Sequence, residues 1–157
     1  MKTCIALVIA LIICPLSPMI AQEPTPKAPP GVPEDAKFFN GSWYRVYLER
    51  AGWNAARRKC LALKGRLAVV PDEATRVFIQ QIATGRQLWL GATNERSKSG
   101  RWKWVDGTAM KFEAWDTGQP SGGNEHYLEV WGAKGFWNDG VENDTGVVGY
   151  ICEWKPK

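Results

Sequence analysis

The stretch Trp53–Val70, "WNAARRKCLALKGRLAVV", changes its hydrophobic period partway along. Trp53, Ala56, Cys60 and Leu63 recur three or four residues apart, which is one face of a helix. Gly65 reads as its stop, because glycine readily takes the left-handed conformation that ends helices. "RLAVV", Arg66–Val70, has the apolar run of a short buried strand. Helix and strand in direct succession are the first sign of a mixed fold.

Working outward, "SWYRVYL" before the helix is rich in aromatic and β-branched residues and reads as a strand. After Pro71, "DEATRVFIQQIA" returns to helical spacing through Ala74, Val77, Phe78 and Ile82. Asp72 and Glu73 lie in its first turn, where carboxylates suit the helix dipole. The second half has another character. "QLWLGA" and "RWKWV" read as short strands, with Trp102 and Trp104 on one side by the two-residue period. Asp106–Asn124 is rich in Gly, Asp, Thr, Ser and Pro, a long irregular connection of the kind that usually carries function or is disordered. "YLEVW", "GFWND" and "VVGYICEW" follow as three more strands. Two early helices, a sheet and a long loop between late strands define an α+β fold.

The N-terminus has the features of an export signal over residues 1–21. Lys2 is followed by the apolar "CIALVIALIIC", and Ala21 is a small residue suited to cleavage. That run is shorter than the roughly 20 apolar residues of a spanning helix, so no stable membrane span is expected. A secreted or extracytoplasmic chain follows. Residues 22–37, "QEPTPKAPPGVPEDAK", hold five prolines and no aromatic residue, and read as an extended tether to a domain at 38–157. Loss of the signal leaves Cys60 and Cys152, which in an oxidising compartment form one bridge or stay as buried thiols. Zinc is disfavoured, since His126 is the only histidine and there is no CxxC. Removing Lys2 lowers the formal charge from +4 to +3, and the basic residues are scattered along the sequence, so nucleic acid is not an expected partner.

Seven segments, "WNAARRKC", "GRLAVV", "LWLGATN", "RWKWVDG", "GQPSGGNE", "FWND" and "GYICEW", occur in this order and together resemble the C-type lectin-like domain family over residues 38–155. The resemblance implies two helices with small antiparallel sheets, a long loop, and a bridge between Cys60 and Cys152. It makes Trp89, Leu90 and Gly91 packing residues. A second family bridge would fall at Tyr127 and Glu142, so here the loop must be held otherwise, and bound metal is one candidate.

Sugar-binding members hold one Ca²⁺ in this loop. Carried over by position, its ligands are Gln119, Ser121, Glu125, Asn138 and Asp139, with Pro120 in the cis form. Calcium takes 6–8 oxygens and accepts amide as well as carboxylate donors, so the set is chemically sensible. The implied function is a calcium-dependent lectin whose ion bridges sugar hydroxyls, with Gln119, Ser121, Glu125 and Asn138 also contacting the sugar. Gln119 leans the preference toward galactose-type ligands. Two features depart from the family: Ser121 replaces Asn or Asp, and the Ser121–Glu125 segment is about two residues short. An auxiliary calcium is disfavoured, because its acidic positions fall at Asn94, Lys98, Glu125 and His126. Trp131 or Trp137 has the chemistry to stack on a sugar but reads first as core.

No nucleophile motif or acid/base constellation is assembled, so an enzyme is not expected. The alternative to the calcium lectin is a calcium-independent lectin-like domain that binds protein or another ligand. Expected partners are therefore glycans or glycoconjugates, with protein ligands as the second class.

Overall fold

The structure is a computed structural model and describes residues 26–156. The expected signal sequence and the first residues of the tether lie outside the described residues. The elements are β1 (Lys37–Phe39), β2 (Ser42–Tyr47), α1 (Trp53–Ala62), β3 (Arg66–Leu67) and α2 (Glu73–Ala83). They are followed by β4 (Leu88–Thr93), β5 (Lys103–Trp104), β6 (Tyr127–Trp131), β7 (Phe136–Gly140) and β8 (Gly149–Trp154). The fold is α+β, as the sequence implies. The strands join in the order β1-β2-β8-β4-β6-β7, with β3 on β8 and β5 on β4. All pairs are antiparallel except β4–β8, which is parallel. The strands thus pair antiparallel as expected, in one continuous sheet with a single parallel pair, β4–β8.

Core residues gather in two clusters. Trp53, Ala56 and Cys60 of α1 pack with Leu67, Trp89, Tyr150, Cys152 and Trp154. Ile79 and Ala83 of α2 pack with Leu88, Leu90, Leu128, Val130, Trp137 and Ile151. Cys60 and Cys152 are bonded, tying α1 to the last strand across 92 residues of sequence. Trp89 and Leu90 are fully buried, and a Cβ at Gly91 would stand 2.5 Å from the Leu67 carbonyl oxygen. That close approach is why glycine sits there.

Several local expectations are corrected. Leu63 is exposed because α1 ends one residue earlier, in a Schellman arrangement. Gly65 N–H donates to Cys60 O at 2.9 Å and Lys64 N–H to Leu61 O at 2.9 Å. Lys64, not Gly65, takes the left-handed φ of 60°. Gly65 is instead required by packing, since a Cβ there would meet Glu153 O and Trp154 Nε1 at 2.9 Å. In α2, Ala74 and Val77 face solvent, and the buried face runs through Thr75, Phe78, Ile79 and Ile82. Asp72 is the N-cap, its Oδ1 accepting from Thr75 N–H at 2.7 Å. Strand β1 was not foreseen in the sequence. The Pro-rich segment also packs on the domain. Ala36 is buried, Ala28 and Val32 lie against the α1-side core, and Asp35 pairs with Arg45 at 2.8 Å. Turns at Pro29–Val32 and Pro33–Ala36 bring these small apolar groups inward. Among the described residues no helix is long and apolar enough to cross a membrane.

Candidate functional site

The long loop between β5 and β6 is irregular but anchored. Ala114 is buried, Phe112 and Trp115 pack on the core, and Trp137 meets Trp104, Phe112 and Trp115 edge-on at centroid distances of 5.6–5.9 Å. Trp137 N–H donates to Ala114 O and Asp116 N–H to Trp137 O, both at 2.9 Å. Trp137 is therefore core and unavailable to a sugar, whereas Trp131 is 38% exposed at the end of β6.

The loop then turns through a cis Gln119–Pro120 peptide and closes on β7. Asp139 is fully buried, and its carboxylate accepts two consecutive backbone donors: Ser121 N–H to Oδ1 and Gly122 N–H to Oδ2, each at 2.8 Å. Consecutive amides converging on a carboxylate form an anion nest. Gly122 and Gly123 hold positive φ values of 77° and 70°, the conformation that turns the chain over Asp139. Ser121 Oγ donates to Glu125 Oε2. Of the expected ligand set, Ser121, Glu125 and Asp139 are thus brought together with Gln119 close in sequence, but Asn138 is not.

Strand alternation explains Asn138. In the β6–β7 register Asn138 faces Glu129 and Asp139 faces Leu128, so the two neighbours point to opposite sides. Asn138 Nδ2 donates to Glu129 Oε1 at 2.7 Å. Glu129 is fully buried, and its Oε2 has no partner among the described residues. Burial is the first cause that pushes its pKa from 4.5 up to about 7. The Asn138 hydrogen bond opposes this, while the charges of Asp144, Glu125 and Asp139 add to it. Sequence reasoning missed Glu129 because a lone carboxylate in a strand reads as solvent-facing. The available signal was its alternation with Tyr127 and Trp131, aromatic residues on the same side.

These donors do not fit a calcium ion as they stand. Calcium needs 6–8 oxygens. Asp139 already accepts from two backbone N–H groups, Asn138 is turned to Glu129, and Ser121 offers a hydroxyl engaged with Glu125. Gln119 Oε1 is the exception, a buried acceptor without a partner. Among the described residues no three His, Cys, Asp or Glu side chains converge as metal ligands. At the auxiliary positions His126 Nδ1 and Asn94 Oδ1 share a hydrogen bond of 2.8 Å, and Lys98 is exposed.

A fold of this topology with a long loop folded onto its β7 strand defines a lectin-type recognition domain. The Lectin C-type domain profile matches residues 49–154, and the chain belongs to that family. It is 33% identical over 120 residues to C-type lectin domain family 4 member G of Mus musculus, covering 73% of this chain and 40% of that protein. It spans from 3% to 40% of the length of the curated relatives it matches. Among solved structures, the mouse scavenger receptor C-type lectin carbohydrate-recognition domain superposes with a TM-score of 0.71 at 27% identity, covering 80% of this chain and 98% of that one. A calcium-independent type II antifreeze protein, 19% identical, shares the fold with a TM-score of 0.71, covering 79% of this chain and 94% of that one. The family is a recognition fold and not a catalytic one.

Proposed function

We propose that this chain is a calcium-independent recognition domain of the C-type lectin family, exported from the cell and binding glycans or glycoconjugates. The observation that supports it is Asp139. Its buried carboxylate is satisfied by the N–H groups of Ser121 and Gly122, so the protein itself supplies the positive partner that a cation supplies in a metal-held loop. Hydrogen bonds to a charged group contribute about 1.5–3 kcal/mol each, enough to fix the loop. The carbohydrate class comes from the family, in which the mouse scavenger receptor domain is a carbohydrate-recognition domain.

The second reading is the calcium-dependent, galactose-leaning lectin built on Gln119, Ser121, Glu125, Asn138 and Asp139. It is favoured by the unpartnered Gln119 Oε1. A glycan array probed with and without chelator separates the two. The proposed function expects bound glycans to stay bound in chelator. Loss of all binding on chelation contradicts it.

A further inference from the structure

A short basic run, Arg96–Lys103, meets a distant cation, Arg57, in the fold. A cleft of about 620 Å³ lies between α1 and the connection from β4 to β5. Arg57 of α1 forms one wall; Arg96, Lys98, Arg101 and Lys103 come from the other. All five are exposed, and among the described residues none of their side chains makes a hydrogen bond or ion pair. The contrast with Arg45, Lys59, Arg66 and Arg76 is clear, since each of those pairs with a carboxylate. Glu95 is the only acidic residue lining the cleft. The connection is shaped by two successive turns, Ser97 N–H to Asn94 O at 2.8 Å and Gly100 N–H to Ser97 O at 3.1 Å. They present the cations of residues 96–103 along one rim.

We infer that this cleft binds a sulfated glycan, at a site separate from the long loop. Cations clustered against a low-dielectric wall focus their field and raise the local concentration of a polyanion. Arginine matches an oxyanion group with two parallel N–H donors, and the hydroxyls of Ser97 and Ser99 suit the uncharged part of a sugar. Several sulfates per short segment answer the density of five cations better than the single carboxylate of an acidic sugar. A single-stranded nucleic acid is disfavoured because such strands bind through stacking on exposed aromatics. The one aromatic residue here, Trp53, is buried and donates its Nε1–H to Leu90 O at 2.8 Å.

The inference goes beyond the proposed function and does not depend on how the long loop is held. Its test uses the purified full chain and a fluorescent heparin-derived oligosaccharide, measured in chelator and, in a separate arm, with calcium in place of the chelator. The wild type should bind, with affinity falling as salt rises. Arg96→Ala, Lys98→Ala and Arg101→Ala together should weaken binding by about tenfold or more while the melting curve is unchanged. A control with the same loss of charge outside the cleft, Lys37→Ala, Lys134→Ala and Lys155→Ala, should bind nearly as the wild type does. No binding by the wild type, equal weakening in both triple variants, or equal competition by single-stranded DNA of matched charge would each overturn the assignment. So would binding that appears only when calcium replaces the chelator.

Discussion

Tyr127 and Glu142 meet through a hydrogen bond of 3.4 Å, at the two positions where the family resemblance places its missing second bridge. Asn54 of α1 completes the contact, donating to Glu142 Oε2 at 2.7 Å and lying 3.4 Å from Tyr127 Oη. The stem of the late loop is thus tied to a helix through polar side chains instead of a covalent link. Glu142→Ala should destabilise the domain by about 1.5–3 kcal/mol, the value of a hydrogen bond to a charged acceptor. Tyr127→Phe should have a smaller effect, since both of its contacts are long. Urea unfolding of the two variants checks the order.

The bond between Cys60 and Cys152 closes almost the whole domain. Replacing both cysteines by alanine should remove about 4–5 kcal/mol in the chain-entropy account of a loop this long. Denaturant midpoints of the variant and of the reduced wild type should agree. A variant as stable as the oxidised wild type would show that the link adds little to the packing around it.

Glu153 is a buried carboxylate satisfied from several sides. It accepts from Ser42 Oγ at 2.9 Å, from Arg66 Nε and Nη2 at 3.1 and 3.0 Å, and from Val69 N–H at 2.9 Å. Arg66→Met removes its counter-charge and leaves the carboxylate inside, which should cost about 3–5 kcal/mol. The double change Arg66→Met with Glu153→Gln should recover part of that loss. Thermal melts of the single and double variants measure the coupling.

Glu129 gives a pH signature. Its folded pKa of about 7 lies above the ordinary 4.5, so the native state holds the proton more tightly than the unfolded state. That contribution is fully present below 4.5 and is lost as pH rises through about 7. Glu129→Gln removes the titration. Between about pH 4 and about pH 8 the stability of the wild type relative to this variant should fall by up to about 3 kcal/mol. Melting curves across that range should therefore diverge, with the glutamine variant gaining toward high pH.

What the sequence disclosed and what it hid have physical reasons. Strong periods were legible: the α1 face of Trp53, Ala56 and Cys60 and the short late strands carry local patterns, while the packing role of Trp89–Gly91 came from the family resemblance. In α2 the period was visible but its phase was not, because Thr75 and Arg76 are buried through tertiary contacts. Arg76 reaches Lys134 O at 3.0 Å and lies over the Phe136 ring. The loop residues Ser121, Glu125 and Asp139 were found by resemblance, and the structure does bring them together. Sequence order could not reveal that Asp139 would be claimed by backbone amides, or that Asn138 would turn to Glu129. The basic cleft was partly legible, since Arg96, Lys98, Arg101 and Lys103 fall within eight consecutive residues, and only their meeting with Arg57 of α1 needed the fold.

The loop closes on Asp139 through the protein's own N–H groups. The most direct measurement is the melting curve of metal-stripped protein, with and without millimolar calcium, for the wild type and for Asp139→Asn. The account expects the wild-type curve to be unchanged by calcium. It also expects Asp139→Asn to lose about 1.5–3 kcal/mol without any metal, since a buried charged acceptor of two amides is replaced. A contradicting result would be a calcium-dependent rise, worth about 2.7 kcal/mol at 100 times the dissociation constant, together with an Asp139→Asn variant as stable as the metal-free wild type.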